Sequence, residues 1–139
     1  MTREDYKNWL NEADWDLETA EILRERGRYN SSTFFAHQAV EKLIKAALMY
    51  KNESPWGHST RELLLRFEEI TEESFSELIH NAIELDHHYI PSRYPNAHPN
   101  SAPHEVYDDQ MAENAINNAN LFFNRIKIIF NNNEGRKKS

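Results

Sequence analysis

The sequence predicts an all-α fold, an antiparallel up-and-down helical bundle of four long or medium helices plus one short helix. Three observations predict it. Apolar residues recur at three- and four-residue spacing through most of the chain, and no segment longer than a few residues alternates with the period of a strand. Glycine is scarce, at 3 residues in 139, which leaves little for tight hairpins or glycine-rich phosphate loops. Prolines 91, 95, 99 and 103 fall in one stretch, so the strongest helix breakers interrupt the pattern mainly there.

The first helix is expected over residues 3–26. Tyr6, Trp9, Ala13, Leu17, Ala20 and Leu23 form its apolar stripe, and Glu12, Asp16 and Glu21 its opposite face. Thr2 and Asp5 offer an N-terminal cap pair, and Gly27 is the stop. The second helix spans 30–51. Phe35, Ala39, Leu43, Ala46 and Tyr50 are widened by Ala36, Val40 and Ala47 into a face suited to a central position. His37, Glu41 and Lys45 form a separate polar ladder, read as exposed. After a connection around Pro55 and Gly57, Ser59 and Glu62 form a capping box for a short third helix ending near Ile70. The fourth helix carries Phe75, Leu78, Ala82, Leu85 and Tyr89, and Pro91 ends it near Ile90. Residues 91–105 are a stiff, proline-rich excursion. The last helix, about 106–130, is built on Met111, Ala115, Ala119, Phe122, Ile126 and Ile129. Residues 1–130 therefore form a single domain, and 131–139 a polar flexible tail.

Composition narrows the function. The net charge of −7 disfavours sequence-blind coating of DNA but leaves room for a local basic site. The absence of cysteine excludes disulfides and thiolate chemistry and fits a reducing compartment, so a cytoplasmic protein is expected. The charged opening residues do not read as a secretory signal, and the apolar runs are too short to cross a membrane. The wide apolar faces leave surplus surface for a homodimer interface.

The candidate chemistry lies in the run HHYIPSRYPNAH, residues 87–98. Arg93 suits bidentate phosphate binding and His98 proton exchange near neutrality; together they are candidate catalytic residues for cleaving RNA through its 2′-hydroxyl. Anchoring of the loop, with Asp86 as partner of Arg93, is the structural alternative. Arg93, Tyr94, His37 and Lys45 are the candidate nucleotide-binding residues, with Tyr94 able to stack a base, as are Trp9, Trp15 and Tyr89. His80, Glu84, His87 and His88 have helix-face spacing that can suit zinc, but a solvated surface is the better reading, so no metal or cofactor is expected. The GRKK segment at 135–138 is a weak nucleic-acid signal.

Several motifs in order also carry a resemblance. Trp9, Ala13, Asp16, Leu17 and Ala20, the run FFAHQAVEKLIKAAL at 34–48, His58 before the third helix, LDHHYIPSRYPNA at 85–97, and Tyr107 with the alanine-rich helix after it resemble the HEPN domain family. The resemblance covers about residues 5–130, and the 85–97 run is similar to the arginine-tyrosine-proline turn of one prokaryotic branch. It implies a helical bundle, commonly homodimeric and often partnered with a minimal nucleotidyltransferase. Many members are metal-independent ribonucleases, acting as toxins or in RNA processing, with an arginine and a histidine four to six residues apart, a spacing that Arg93 and His98 meet. The chain departs from that pattern at Tyr94, where ribonuclease members usually carry a polar residue, and at the intervening Pro95. Asn96 replaces the branch's usual aspartate. Asn100 stands where toxins neutralised by adenylylation carry a tyrosine. The leading expectation is a nucleotide-binding or protein-interaction module; a ribonuclease or toxin using Arg93 and His98 is the first alternative, and a non-catalytic structural adaptor the second.

Overall fold

The computed structural model describes the backbone of residues 5–138 and the side chains of residues 5–130. It consists of α1 (Tyr6–Glu25), α2 (Tyr29–Tyr50), α3 (Thr60–Thr71), α4 (Ser76–Asp86), the short α5 (Pro103–Val106) and α6 (Asp109–Lys138), with a 3-10 turn at Pro95–Ala97. Among the described residues there is no strand.

Local chemistry sets the ends of the first three helices. Gly27 takes φ +75°, the left-handed conformation that costs a glycine little, and the Arg28 amide then bonds back to Leu23 O at 2.8 Å, closing α1. Asn52 does the same for α2 at φ 63°, with Glu53 N–H donating to Leu48 O. Ser59 caps α3, its Oγ accepting from Glu62 N.

Helix α2 is the axis of the bundle. It packs against α1, α3, α4, α5 and α6, and Ala36, Ala39, Val40, Leu43, Ile44, Ala46 and Ala47 are all fully buried. Small residues at so many of these positions let neighbouring backbones approach closely. Its wide apolar face is thus consumed within the chain. Tyr6, Tyr50 and Phe130 close one end, with ring centroids 4.8 to 5.4 Å apart. Phe67 against Phe75 joins α3 to α4; burying each such ring contributes roughly 1.5–3 kcal/mol. Ion pairs from Arg24 to Asp109 and from Lys127 to Asp14 tie α1 to α6.

The structure corrects several sequence expectations. The ladder His37, Glu41, Lys45 is buried, not exposed, because α2 is surrounded and no side of it is left for solvent at these positions. Asp16 is also buried and pairs with Lys42 of α2; burial pushes its carboxyl above the usual range, against the hydrogen bond from Lys42. Helix α4 ends at Asp86 rather than near Ile90: His88 and Tyr89 amides bond three residues back, tightening the chain into successive turns before Pro91 is reached. The last helix begins at Asp109, because Asp108 Oδ1 accepts from Met111 N and caps it there; Pro103 starts the separate short α5. Helix α6 extends to Lys138, beyond the expected end near 130. The Thr2 cap partner, and the side chains of the basic segment at 135–138, lie outside the described residues.

Candidate functional site

The turns after α4 present Tyr89 and Arg93 beside the first half of α2, with His98 following in the same loop. Asn30 Nδ2 holds Ser92 O at 3.0 Å and fixes the turn to the start of α2. Arg93 Nε–H donates to Tyr89 O at 3.0 Å. Its guanidinium lies 4.5 Å from the ring centres of Phe34 and Tyr89 and 4.8 Å from that of Tyr94. Three rings and one carbonyl therefore orient a planar cation, each ring adding cation–π attraction. Among the described residues no carboxylate lies within ion-pairing distance of it.

The expected pairing of Arg93 with Asp86 is not formed, because Asp86 is fully engaged elsewhere. Its carboxylate accepts from His37 Nε2 (3.1 Å), Ser59 Oγ (2.9 Å), Thr60 N (2.8 Å), Thr60 Oγ1 (2.7 Å) and Arg61 N (3.1 Å). Two of these donors are first-turn amides of α3, so the last residue of α4 caps α3 from outside. Burial pushes the Asp86 carboxyl up, but the hydrogen bonds from His37, Thr60 and Arg61 outweigh it and hold it at about 2.

His37 lies beneath Tyr89, ring edge to ring face at 5.5 Å, and is fully buried. One turn further along α2, Glu41 Oε1 accepts from Lys45 Nζ (2.9 Å) and from His58 Nδ1 (2.8 Å). The His58 ring stacks on Tyr89 at 6.2 Å. Tyr89 is thus the common wall of Arg93, His37 and His58.

His98 Nε2 lies 2.6 Å from Pro91 O. A carbonyl only accepts, so Nε2 carries the proton and a neutral His98 keeps Nδ1 free as a base. Tyr107 packs against the same loop, its hydroxyl 2.7 Å from His88 Nδ1. Burial pushes the Tyr107 phenol up to about 12. Burial, helped by His87 and His37, pushes His88 down from its ordinary value.

Of the residues singled out from sequence, Arg93, Tyr94 and His98 share one loop, with Arg93 and His98 anchored to carbonyls two residues apart. His37 adjoins them through Tyr89. Lys45 stands apart, two turns or about 12 Å along α2 and locked to Glu41. Of the remaining stacking candidates, Trp9 packs partly buried against the core, while Trp15 is exposed. His80 pairs with Glu84 at the surface, and among the described residues no three ligand-type side chains converge for a metal. Sequence reasoning missed Phe34 as a guanidinium platform and the Glu41–His58 contact. The signal for the first was present, since Phe34, His37, Glu41 and Lys45 recur at helical spacing.

This all-α bundle, built around the buried helix α2, matches the helical-bundle fold of solved HEPN structures. Residues 6–129 match the HEPN domain family, and the chain belongs to it. Among solved structures it is similar to TT1696 from Thermus thermophilus, at 31% identity over 88% of this chain and 96% of that one, with a TM-score of 0.84. It is also similar to ST0689, an archaeal HEPN homologue, at 31% identity over 88% and 94% of the two chains, with a TM-score of 0.73. Among curated proteins it is 26% identical to "Putative toxin MJ1304" of Methanocaldococcus jannaschii, over 95% of this chain and 92% of that protein.

Proposed function

We propose that this HEPN domain binds the phosphate of a nucleotide or RNA at Arg93, with Tyr94 as the adjoining base-stacking surface. The observation that carries this reading is the Arg93 guanidinium, oriented by Tyr89 O and three aromatic rings and without a carboxylate partner among the described residues. An oriented cation of this kind matches a phosphate bidentately. His37 serves the site from behind, by supporting Tyr89, and Lys45 balances the charge of Glu41. The test is calorimetric titration with AMP and with a short oligoribonucleotide. Arg93→Ala is expected to weaken binding at least tenfold, the worth of a charge-assisted contact of about 1.5–3 kcal/mol; equal affinity of wild type and variant refutes it.

A ribonuclease reading has its own support in the His98 tautomer, the four-residue gap between Arg93 and His98, and the toxin-named relative. In that reaction His98 Nδ1 takes the 2′-hydroxyl proton and the 2′-oxygen bonds to phosphorus. The 5′-oxygen departs and is protonated by water, while Arg93 stabilises the charged transition state. Loss of RNA cleavage in both Arg93→Ala and His98→Ala supports it; no cleavage by wild type, or none attributable to either residue, refutes it. Absence of nucleotide binding and of cleavage together would leave the adaptor role.

The family resemblance brings with it a homodimer and a neighbouring minimal nucleotidyltransferase as partners. Trp15 and Ile22 on α1, and Leu121 and Ile128 on α6, are exposed at seven-residue spacing on two adjacent helices. Such side chains suit an interface. No helix among the described residues is long and apolar enough to cross a membrane.

A further inference from the structure

The Glu41–His58 contact has no role in the reading above. Glu41 is buried and both of its donors, Lys45 Nζ and His58 Nδ1, converge on Oε1. Among the described residues its Oε2 is buried and meets no hydrogen-bond donor. Leaving a buried acceptor unmade is destabilising, and an ion pair to a largely exposed partner returns little. The His58 side chain is 72% exposed, so packing does not account for the arrangement either.

What the contact does achieve is orientation. A carboxylate only accepts, so the His58 proton sits on Nδ1, and a neutral His58 presents Nε2 as an acceptor. The ring stacks on Tyr89, the same ring that supports Arg93. The arrangement therefore places a fixed cation and a fixed acceptor around one aromatic wall. A phosphate suits the first. The second suits a hydroxyl, and a nucleotide carries hydroxyls on its ribose.

We propose that His58, oriented by Glu41, accepts a hydrogen bond from the ribose 2′-hydroxyl of the nucleotide bound at Arg93, and so makes the site selective for ribonucleotides over deoxyribonucleotides. This rests on the nucleotide reading of Arg93. Glu41 is a positioning residue and His58 the ligand contact.

The test titrates wild type, His58→Phe and Arg93→Ala with AMP and with 2′-deoxy-AMP. Wild type is expected to prefer AMP by about fivefold or more, the worth of one hydrogen bond. His58→Phe, which keeps a ring on Tyr89, is expected to bind both ligands alike. A structural role for His58 would weaken both ligands equally and leave the ratio intact, which overturns the proposal. Equal affinity of wild type for the two ligands overturns it as well, while the Arg93 reading survives if Arg93→Ala weakens both. No binding of AMP by wild type overturns this proposal, and the Arg93 reading falls with it only if the oligoribonucleotide does not bind either. Imidazole 15N spectra of the wild-type protein give an independent check: His58 is expected as the Nδ1–H tautomer, and the Nε2–H tautomer overturns the proposal.

Discussion

Replacing Asp86 tests the account of the site's foundation most directly. Its carboxylate accepts five hydrogen bonds, from His37, Ser59, both the amide and hydroxyl of Thr60, and the Arg61 amide. Asp86→Asn keeps the shape and removes the charge. Its cost follows from the carboxyl being held at about 2 rather than its ordinary 3.8, which is worth about 2 kcal/mol at neutral pH. Asp86→Ala also strips two α3 amides of their acceptor and leaves the buried His37 ring without its partner, for a total of about 3–5 kcal/mol. The pH dependence has a definite sign. Folding lowers this pKa, so the stabilisation is complete above about pH 4 and is lost as the pH falls toward about 2. Urea unfolding followed by circular dichroism measures it. The gap between wild type and Asp86→Asn is expected to narrow to about half by pH ~3. A gap under ~0.5 kcal/mol at pH 7, or one that stays constant down to pH ~3, would refute the reasoning.

Other perturbations have equally definite outcomes. Gly27→Ala meets open space but places a side chain at φ +75°, so it should lower stability by about 1 kcal/mol, read as a fall in Tm. His88 has a lowered pKa, so the stability of the wild type should decline as the pH drops below about 6.5 and through the folded pKa, and His88→Gln should remove that part of the slope in pH-dependent unfolding. If α1 forms part of an interface, Trp15→Glu should shift the sedimentation of the protein toward monomer while leaving its helical spectrum unchanged; an unaltered assembly excludes this face.

How much was legible in the sequence differs from element to element. The stripes of α1, α2, α3 and α6, the Gly27 stop and the Ser59 cap were readable because each depends on residues within a few positions of one another. Family membership was readable from motifs spread along the chain. The polar ladder of α2 was misread as exposed for a physical reason. Spacing shows that His37, Glu41 and Lys45 share a face, but not that Asp86 and His58, 49 and 17 residues further on, return to cover it. The same blindness to distant partners suggested Asp86 for Arg93, when the first turn of α3 had the stronger claim on that carboxylate. Residue type and spacing single out Arg93 and His98 as candidates, but their anchors, the carbonyls of Tyr89 and Pro91, carry no sequence signal at all.

The cap that α4 supplies to α3 also ties the two helices together in time. The amides of Thr60 and Arg61 belong to one helix by position but are shielded by the last residue of another, across 26 and 25 residues of chain. Hydrogen exchange at these two amides is therefore gated by the undocking of α4 rather than by fraying of α3 alone. The start of the third helix and the turn that follows Asp86 are therefore expected to open together, read as similar exchange rates for the Thr60 and Arg61 amides and those of the turn.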